Sequence, residues 1–590
     1  MKNSAGCRYD LRISNDLAGH GNFIPLLIPE IFRTQQISAP YLRMIFQSLK
    51  TIWRNVMNTS VSKTGRFLLI LCCGFFLCAN VFANSPFECA NTFDKTLPVN
   101  KILMNHWKKH NITPPAMASD SVFLRRLTLT AAGRLPRPDE IKEFLNDKRI
   151  NKRAIWIDRI LDSPEYADMQ AMRFADMLRI KSEFPINLWP NAVQIYHRTL
   201  KEDLLTDRPL NQMFYQMLTD SGSNFRVPYA NFFRASADRS PSGLAKMVLL
   251  TTCGMREHSF SGEEITAIAQ LFSQVRYKST TEWKEEIVFS SFEERVIKAQ
   301  LPDGTTVKIN SAETDPRKIY ADWLFGDGKE YFARAMTNRM WHWIFGRGIY
   351  PVADDLPRIK GFWGKLFSSS DSKNAPFSED LQTFLNEEFY KSNYSLKHMY
   401  RIIMNSALFQ ASSLDQSEPR LTHGAAYPLR RLEAELLVDA LGQITGAYDR
   451  YTSVIPEPFT FLPPGTRAVT IADGSISSGV LDNFGRPSRD SGQLSERNTA
   501  HTDKQMLYLK NSSALYRRIT SYSQSTVRRF RDPVRQLEKV YLDILNRYPT
   551  AEEKKAFESY KKSITGRQGP RYLIDTVWIL LNSKEFIFHH

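Results

Sequence analysis

The sequence predicts a mainly α-helical protein, with two helical domains joined by a small β-hairpin insertion. From Ser119 onward the apolar residues recur at helical spacing, and Gly and Pro residues separate the helical segments. Between residues 283 and 310 apolar and polar residues alternate instead, and Asp303-Gly304 supplies a tight turn. At 590 residues the chain exceeds one core of ordinary size, which also favours more than one domain.

The N-terminal part of the chain contains a signal for export. The apolar segment from Phe67 to Ala83 follows basic residues and ends on small ones, which is the form of a secretory signal peptide. Met57 would give it a conventional start, so we expect a signal peptide at 57–83. Residues 1–56 then precede the true start or are disordered. The expected location is periplasmic or secreted, and the alternative is an uncleaved segment that anchors the protein in the membrane.

The charge of the chain limits its partners. A net charge of +16 is a modest basic excess for this length. We interpret it as an ordinary solvated surface, and the alternative is that it favours an anionic glycan as a ligand. Export and the lack of a dense Lys/Arg block argue against nucleic acid.

Two cysteines, Cys89 and Cys253, lie beyond the predicted signal peptide. In an oxidising compartment they could form one disulfide. Cys89 belongs to residues 84–114, which we expect to be an N-terminal tail.

The helical pattern repeats itself. A turn of the form Gly/Asn-Arg-x-Pro occurs at 133–136 and again at 546–549, and acidic residues follow in the first turn of the next helix. A helix then closes on Ser-x-Glu-aromatic at 163–166 and at 583–586, with a partial third copy at 402–409. The shared order predicts a reused helical hairpin that frames each half of the chain.

One predicted helix carries candidate ligand-binding residues. In the segment 331–345, Arg334, Asn338 and His342 stand at i, i+4 and i+8 and therefore share a face. They could bind a carboxylate or a sulfate. Alternatively they tie the helix to the long Pro- and Gly-rich loop at 453–500, and we favour this structural role.

The segment from Cys253 to Phe260 resembles a damaged haem-attachment motif. Covalent attachment of a c-type haem needs two thiols and an adjacent histidine. Arg256 and Glu257 occupy the positions of the second thiol and the iron ligand, so covalent haem is excluded at 253–258. We expect no cofactor and no metal, and we expect Cys253 and His258 simply to pack at the start of a helix at 262–276. The alternative is that Cys253, with His258 nearby, binds a metal or acts as a nucleophile.

Several blocks of sequence resemble a known family. They are 332–342, 345–348, 484–487, 495–499 and 580–586 for its C-terminal domain, and 123–126, 133–136 and 161–166 for its N-terminal domain. The family is the planctomycete cytochrome c-associated two-domain family of unknown function. The resemblance covers about 115–590 and implies an N-terminal domain at 115–280 and a C-terminal domain at 313–590. Members are typically exported, and many carry Cys-x-x-Cys-His where this chain keeps only Cys253, His258 and Phe260.

The function expected from the sequence is that of a non-catalytic partner or scaffold for a redox or polysaccharide-processing system. Its partners would be a cytochrome or a polysaccharide-processing protein. The alternative is an enzyme or a binding protein that acts on exported sulfated or acidic polysaccharide, and whether the protein is an enzyme stays open. The candidate ligand-binding residues for that alternative are Arg334, Asn338, His342, Arg347 and Arg486.

Overall fold

A computed structural model describes residues 85–293, 295–359, 374–476, 478–564 and 570–590. Residues 1–56, the predicted signal peptide and most of the predicted loop at 359–378 lie outside the described residues. Pro86–His590 forms one compact unit.

The protein is mainly α-helical, as the sequence predicts. The described helices are α1 Pro98–Lys109, α2 Asp120–Ala132, α3 Pro138–Asn146, α4 Lys152–Leu161, α5 Pro164–Met177, α6 Pro190–Leu205, α7 Leu210–Thr219, α8 Asn231–Arg234, α9 Pro241–Val248, α10 Gly262–Ala269, α11 Pro316–Phe325, α12 Lys329–Phe345, α13 Glu379–Lys391, α14 Leu396–Asn405, α15 Glu418–Thr422, α16 Ala434–Thr445, α17 Gly479–Asn483, α18 Asp503–Asn511, α19 Ser513–Arg529, α20 Pro533–Ile544, α21 Ala551–Ser563, α22 Arg571–Leu581 and α23 Lys584–Ile587. None of the helices that the structure describes has the length and apolarity needed to cross a membrane.

Short antiparallel strands accompany the helices. They are β1 Glu88–Cys89, β2 Met117–Ala118, β3 Gly222–Ser223, β4 Val275–Ser279, β5 Glu286–Ser290, β6 Val296–Gln300, β7 Thr306–Asn310, β8 Arg430–Arg431 and β9 Phe588–His589. The pairs are β1 with β2, β6 with β7 and β8 with β9, while β5 lies between β3 and β4.

The segment from residue 86 to 114 is not the tail predicted from the sequence. It contains α1, whose Val99, Leu103 and Trp107 are buried in the main core. These apolar residues stand four apart and so form one stripe along the helix. In addition, β1 pairs with β2 just before α2. The segment is therefore part of the folded body.

One main core joins the two predicted domains. Phe174 of α5 packs against Trp343 of α12 with their ring centroids 5.4 Å apart, and Phe214 of α7 packs against Phe332 of α12 at 5.0 Å. Aromatic pairs of this kind add stability beyond the area that they bury. The boundaries at 115–280 and 313–590 thus mark regions of the sequence and do not separate two cores.

The β insertion differs in extent from the prediction. The hairpin of β6 and β7 lies within 283–310, and Gly304 adopts a left-handed conformation with φ of 97° in its turn. The predicted helix at 262–276, however, ends at Ala269, and β4 begins at Val275. Aromatic and β-branched residues favour a strand there, and the Tyr277 hydroxyl donates a hydrogen bond to the Phe233 carbonyl at 2.9 Å.

Helix α12 runs through the interior of the protein. From Tyr331 to Phe345 every side chain except that of His342 is buried. A helix that is enclosed on nearly all sides is a central element of the core. Trp341 and Trp343, which are 1% and 3% exposed, accordingly belong to the core.

The two predicted hairpin copies make the same ion pairs. In each copy one arginine follows a residue in the left-handed conformation, Gly133 with φ of 61° or Asn546 with φ of 59°. The arginine then joins a glutamate at the start of the next helix to a glutamate in the first turn of a later helix. The nitrogen-to-oxygen distances are 2.8 Å and 3.5 Å in the first copy, and both are 2.7 Å in the second. The residues are Arg134, Glu140 and Glu165 in the first copy, and Arg547, Glu553 and Glu585 in the second.

A serine makes the same pair of hydrogen bonds at each of the three predicted helix ends. In each, the serine hydroxyl donates to the carbonyl three residues before it and accepts from the N–H of a buried aromatic residue three residues after it. The serines are Ser163, Ser406 and Ser583, and their aromatic partners are Tyr166, Phe409 and Phe586. The repeat inferred from the sequence is therefore a repeat of contacts.

Candidate functional site

A polar cleft of about 400 Å³ is built from segments of both predicted domains. We call it the arginine cleft. Its charged and titratable lining consists of Arg173, Asp176, Arg256, His342, Arg347, Asp354, Arg430, Glu433 and Arg497. With five arginines and three carboxylates, this lining has an excess of positive charge. Convergent polar groups in a concave site are the usual mark of a ligand-binding site.

The end of α12 positions two of the lining residues. Gly346 ends the helix in the left-handed conformation, with φ of 73°, and its N–H donates to the His342 carbonyl at 2.7 Å. A Cβ atom at position 346 would lie 2.7 Å from Cδ of Arg430. Glycine therefore lets Arg430 cross the helix end, where its Nη2 donates to the Ile344 carbonyl at 2.8 Å.

Glu433 is the centre of a buried ion network. Its carboxylate lies 2.6 Å from Arg173 and 3.4 Å from both Arg430 and Arg497, and its side chain is 4% exposed. Burial alone would raise the pKa of Glu433, but the three guanidinium groups lower it to about 2. Glu433 is therefore ionised at neutral pH.

Asp176 extends this network between the two predicted domains. It lies at the end of α5 and is 2.6 Å from Arg497 and 2.8 Å from Arg489. Arg497 in turn lies 2.6 Å from Glu435. Burial opposes ionisation of Asp176, yet Arg497 and Arg489 hold the pKa of that carboxyl below its ordinary value. Asp176, like Glu433, is thus held as an anion by arginines.

Both carboxylate oxygens of Asp354 also accept hydrogen bonds. Its Oδ1 accepts a hydrogen bond from Nε of Arg339 at 3.1 Å, and its Oδ2 accepts one from the N–H of Leu494 at 2.6 Å. The Leu494 contact attaches the long loop at 453–500 to the segment after α12. Asp354 therefore shapes the cleft wall through these two contacts.

The side chain of His342 is half-buried and makes no hydrogen bond to any residue that the structure describes. Burial lowers its pKa to about 4, and the nearby Asp354 only partly opposes this shift. The imidazole is therefore neutral at pH 7 and can both donate and accept a hydrogen bond.

Arg256 and Arg347 are the lining arginines that have no carboxylate within 4 Å among the described residues. Nε of Arg256 donates to the Asp354 carbonyl at 3.2 Å, and Nη1 of Arg347 donates to the Leu421 carbonyl at 2.7 Å. Each guanidinium has further N–H groups. These two arginines account for the positive excess of the cleft.

The structure places the five predicted ligand-binding residues in different surroundings. His342 and Arg347 line the arginine cleft, whereas the other three make internal contacts. Arg334 donates to the Pro357 carbonyl at 2.5 Å, beside the rings of Tyr331 and Tyr350. It therefore ties α12 to the segment after it, and not to the loop at 453–500.

Asn338 and Arg486 organise backbone. Asn338 accepts from the N–H groups of Ile349 and Tyr350 and donates to the Ala353 carbonyl. Arg486 donates to the carbonyls of Ile476 and Asp473 at 2.8 and 3.0 Å. Both residues hold loops that border the cleft.

Sequence reasoning missed most of the cleft lining. Arg173, Asp176, Arg430, Glu433 and Arg497 were not among the candidates. A usable signal exists in 428–435, where two arginines and one glutamate directly precede the apolar helix α16 and a second glutamate lies in its first turn. Charged residues at the start of a buried helix need partners, so such a cluster indicates an ion network.

The remnants of the haem motif lie in different surroundings. Cys253 is fully buried, and its Sγ lies 3.5 Å from the Tyr320 hydroxyl. His258 is largely exposed and lies 2.9 Å from Asp355. The two side chains have separate partners, so the structure does not assemble them into a reactive pair.

The predicted disulfide is not formed. Cys89 and Cys253 are both free thiols. Cys89 lies in β1, with its Sγ 3.4 Å from the Ala118 carbonyl, whereas Cys253 is enclosed at the end of a π-helical turn that follows α9.

Alkylation should distinguish the two thiols. Burial raises the pKa of Cys253, and the thiolate is the reactive form, so we expect Cys253 to react with iodoacetamide at least about tenfold more slowly than the half-buried Cys89 in the native protein. Peptide mass spectrometry after timed alkylation measures both sites. In guanidinium chloride the two should react alike, and equal rates in the native protein would contradict the buried position of Cys253.

A second feature is a partly exposed aromatic cluster. Trp189, Trp283 and Phe459 meet edge to face, with ring centroids 4.8 to 5.4 Å apart. Trp283 is 61% exposed, and Nζ of Lys284 lies 5.1 Å from the centre of the Trp189 ring. We call these three rings the aromatic cluster. The loop at 453–500 supplies Phe459 here and Arg497 to the arginine cleft.

Comparison with known families identifies two regions of the chain. Residues 98–249 match the family described as PSCyt2, protein of unknown function (DUF1549), and residues 316–561 match the family described as PSD1, protein of unknown function (DUF1553). No curated protein and no solved structure matches the chain. The first region contains Arg173 and Asp176 and the second contains Glu433 and Arg497, so both regions contribute to the arginine cleft. The chain therefore carries, in order, regions that match two domains of unknown function, which is consistent with a two-domain cytochrome-associated family.

Proposed function

We propose that the protein binds an anionic saccharide in the arginine cleft. The observation that carries this proposal is the pair Arg256 and Arg347, which line the cleft without a carboxylate partner among the described residues. Guanidinium groups are well suited to bind carboxylate or sulfate through paired hydrogen bonds. His342, neutral and without a described hydrogen bond, offers a further contact at the same site.

Buried polar atoms of the lining also support a ligand. Nε of Arg430 and Nε of Arg497 are buried and make no hydrogen bond within the described residues. Buried polar atoms normally have a hydrogen-bond partner. A polar ligand or ordered water in the cleft would satisfy them.

The aromatic cluster favours a saccharide over a small anion. Exposed Trp rings combine a flat apolar face with a polar edge, and the cluster borders a small groove lined by Asn187, Glu183 and Lys284. Flat rings beside polar groups suit the faces and hydroxyls of a sugar. The aromatic cluster and the arginine cleft share the loop at 453–500 as a wall.

The same geometry argues for binding rather than catalysis. General acid or base catalysis needs a group whose pKa lies near the working pH. In the cleft, arginines hold Glu433 and Asp176 as anions, hydrogen bonds occupy both oxygens of Asp354, and His342 titrates at about pH 4. We therefore propose a binding protein. Export and the lack of covalent haem are expectations from the sequence and stay predictions. The scaffold role expected from the sequence stays a prediction.

The proposal is tested by calorimetric titration with a sulfated hexasaccharide and with an oligogalacturonate. We expect Arg256→Ala and Arg347→Ala each to weaken binding about tenfold, because each removes charge-assisted hydrogen bonds. Arg198→Ala is the matched control, since Arg198 is a 70% exposed arginine of α6 outside the cleft, and its affinity should equal that of the wild type. Equal affinities in all variants, or equal binding of a neutral hexasaccharide, would overturn the proposal.

A further inference from the structure

Three histidines converge on the face of α1 that lies against the segment after α15. His106 and His110 stand four residues apart in and just after α1, so they project from the same side of the helix. His423 follows α15 directly. One ligand atom from each of the three rings can be chosen so that all three lie within 4.8 Å of one another. We call this group the histidine cluster.

The spacing of the nitrogens fits a metal ion. Nε2 of His106 and Nδ1 of His423 are 3.2 Å apart. Two nitrogens that each lie 2.0–2.1 Å from a tetrahedral zinc ion are separated by about 3.3 Å. The ring of His110 lies 4.1 Å from that of His423 and 4.5 Å from that of His106, measured between centroids. A small movement of the exposed His110 would complete a three-nitrogen set.

Surrounding contacts hold the ligand from the loop in place. Nε1 of Trp107, the residue after His106, donates to the carbonyls of His423 and Gly424 at 3.1 Å each. Gly424 adopts a left-handed conformation with φ of 60° and lies against Phe377. Contacts that orient the residues around a ligand are typical of protein metal sites. Here a buried tryptophan links the helix and the loop that bear the histidines.

We propose that His106, His110 and His423 form a binding site for a divalent transition metal ion, with zinc the best fit. Imidazole nitrogens suit zinc, copper and nickel, and a three-histidine set leaves a fourth position for water or a ligand. The site departs from the sequence-based expectation of no metal. It also differs from the haem remnant, because neither Cys253 nor His258 belongs to it.

Such a metal ion would stabilise the segment that forms one side of the arginine cleft. His423 and Leu421 belong to the segment that leads to Arg430, a residue of the cleft lining. The Leu421 carbonyl accepts the hydrogen bond from Arg347. By joining α1 to this segment, the metal would fix the backbone against which Arg347 is oriented.

The experiment is a calorimetric titration of the metal-stripped full chain with Zn²⁺. We expect one histidine-dependent site, and we expect His110→Ala and His423→Ala each to weaken its affinity at least about tenfold, as loss of a ligand does. His110 is exposed, so its replacement does not threaten folding, and circular dichroism of each apo variant verifies this. His398→Ala is the matched control, because His398 is also a helix histidine that stands beside a single glutamate, Glu388.

Each outcome of the titration either supports or overturns the proposed metal site. Loss of affinity in the His110 and His423 variants, with unchanged affinity in His398→Ala, supports the site. Zinc binding that is unchanged in the His110 and His423 variants would place the metal elsewhere, for example on the cysteines near the N-terminus. Absence of zinc binding by the wild type would show that the three imidazoles only stack on one another.

Discussion

Replacing Glu433 with alanine is expected to destabilise the protein by about 3–5 kcal/mol, which is the usual cost of removing one partner from a buried ion pair. The carboxylate is 4% exposed and lies within 3.4 Å of three arginines, Arg173, Arg430 and Arg497. Without it, those guanidinium groups would stay buried with less compensating negative charge. The free energy of unfolding, from urea denaturation followed by circular dichroism, measures the effect.

The matched control is Glu143→Ala. Glu143 also pairs with one arginine, Arg159, at 2.8 Å, but both side chains are about half exposed. Exposed pairs contribute at most about 1 kcal/mol, so this variant should stay within that limit of the wild type. A Glu433→Ala variant as stable as Glu143→Ala would contradict the network described for the cleft.

The pH dependence of stability should reveal the contribution of Glu433. The pKa of Glu433 is lowered in the folded protein from its ordinary value of 4.5 to about 2. Between these values the unfolded chain binds more protons than the folded one, so stability rises with pH across this range. The contribution of Glu433 is complete above about pH 4.5 and is lost as the pH falls toward 2. Glu433→Ala should therefore lose less stability than the wild type over that interval.

Replacing Arg134 with alanine is the second large effect, again with an expected cost of about 3–5 kcal/mol. Arg134 is 6% exposed, and its two terminal nitrogens each lie 2.8 Å from an oxygen of Glu140. It also lies 3.5 Å from Glu165 at the start of α5. Loss of the guanidinium would leave the buried Glu140 short of its main partner. Urea denaturation again measures the change.

The chain supplies its own control for this variant. Arg137 lies 3.3 Å from Glu140 and 2.7 Å from Glu165, but its side chain is 51% exposed. Arg137→Ala should therefore cost no more than about 1 kcal/mol. Arg547→Ala, which removes the equivalent arginine of the second hairpin copy, should cost as much as Arg134→Ala. Similar small costs for all three variants would show that the repeated ion pairs are not structural.

The local features of the fold were accessible from the sequence because they depend on neighbouring residues. The span of α12, the hairpin turn at Gly304 and the repeated arginine turns each follow from spacing within about ten residues. The helix α1 was missed although Val99, Leu103 and Trp107 show the same periodicity. The helical periodicity is thus present in the sequence of this segment. The prediction of a tail followed from its position next to the predicted signal peptide.

The candidate site depends on contacts that spacing cannot reveal. Arg173 meets Glu433 across 260 positions of sequence, and no local pattern connects the two. Arg334, Asn338 and His342 do share one side of α12, yet that helix is enclosed by different elements along its length, so only His342 reaches the cleft. His106 and His110 show a helical metal-binding spacing, but the third histidine lies more than 300 residues later.

The ion pairs between the two matched regions also constrain how this chain can evolve. Asp176 and Arg173 lie in the first region, while their partners Arg489, Arg497 and Glu433 lie in the second. Exchanging one region for that of a distant relative would place buried charges opposite residues that were selected for other partners. We therefore expect these positions to change in compensating pairs and recombination between the two regions to be selected against. The two regions would then be inherited together as one unit.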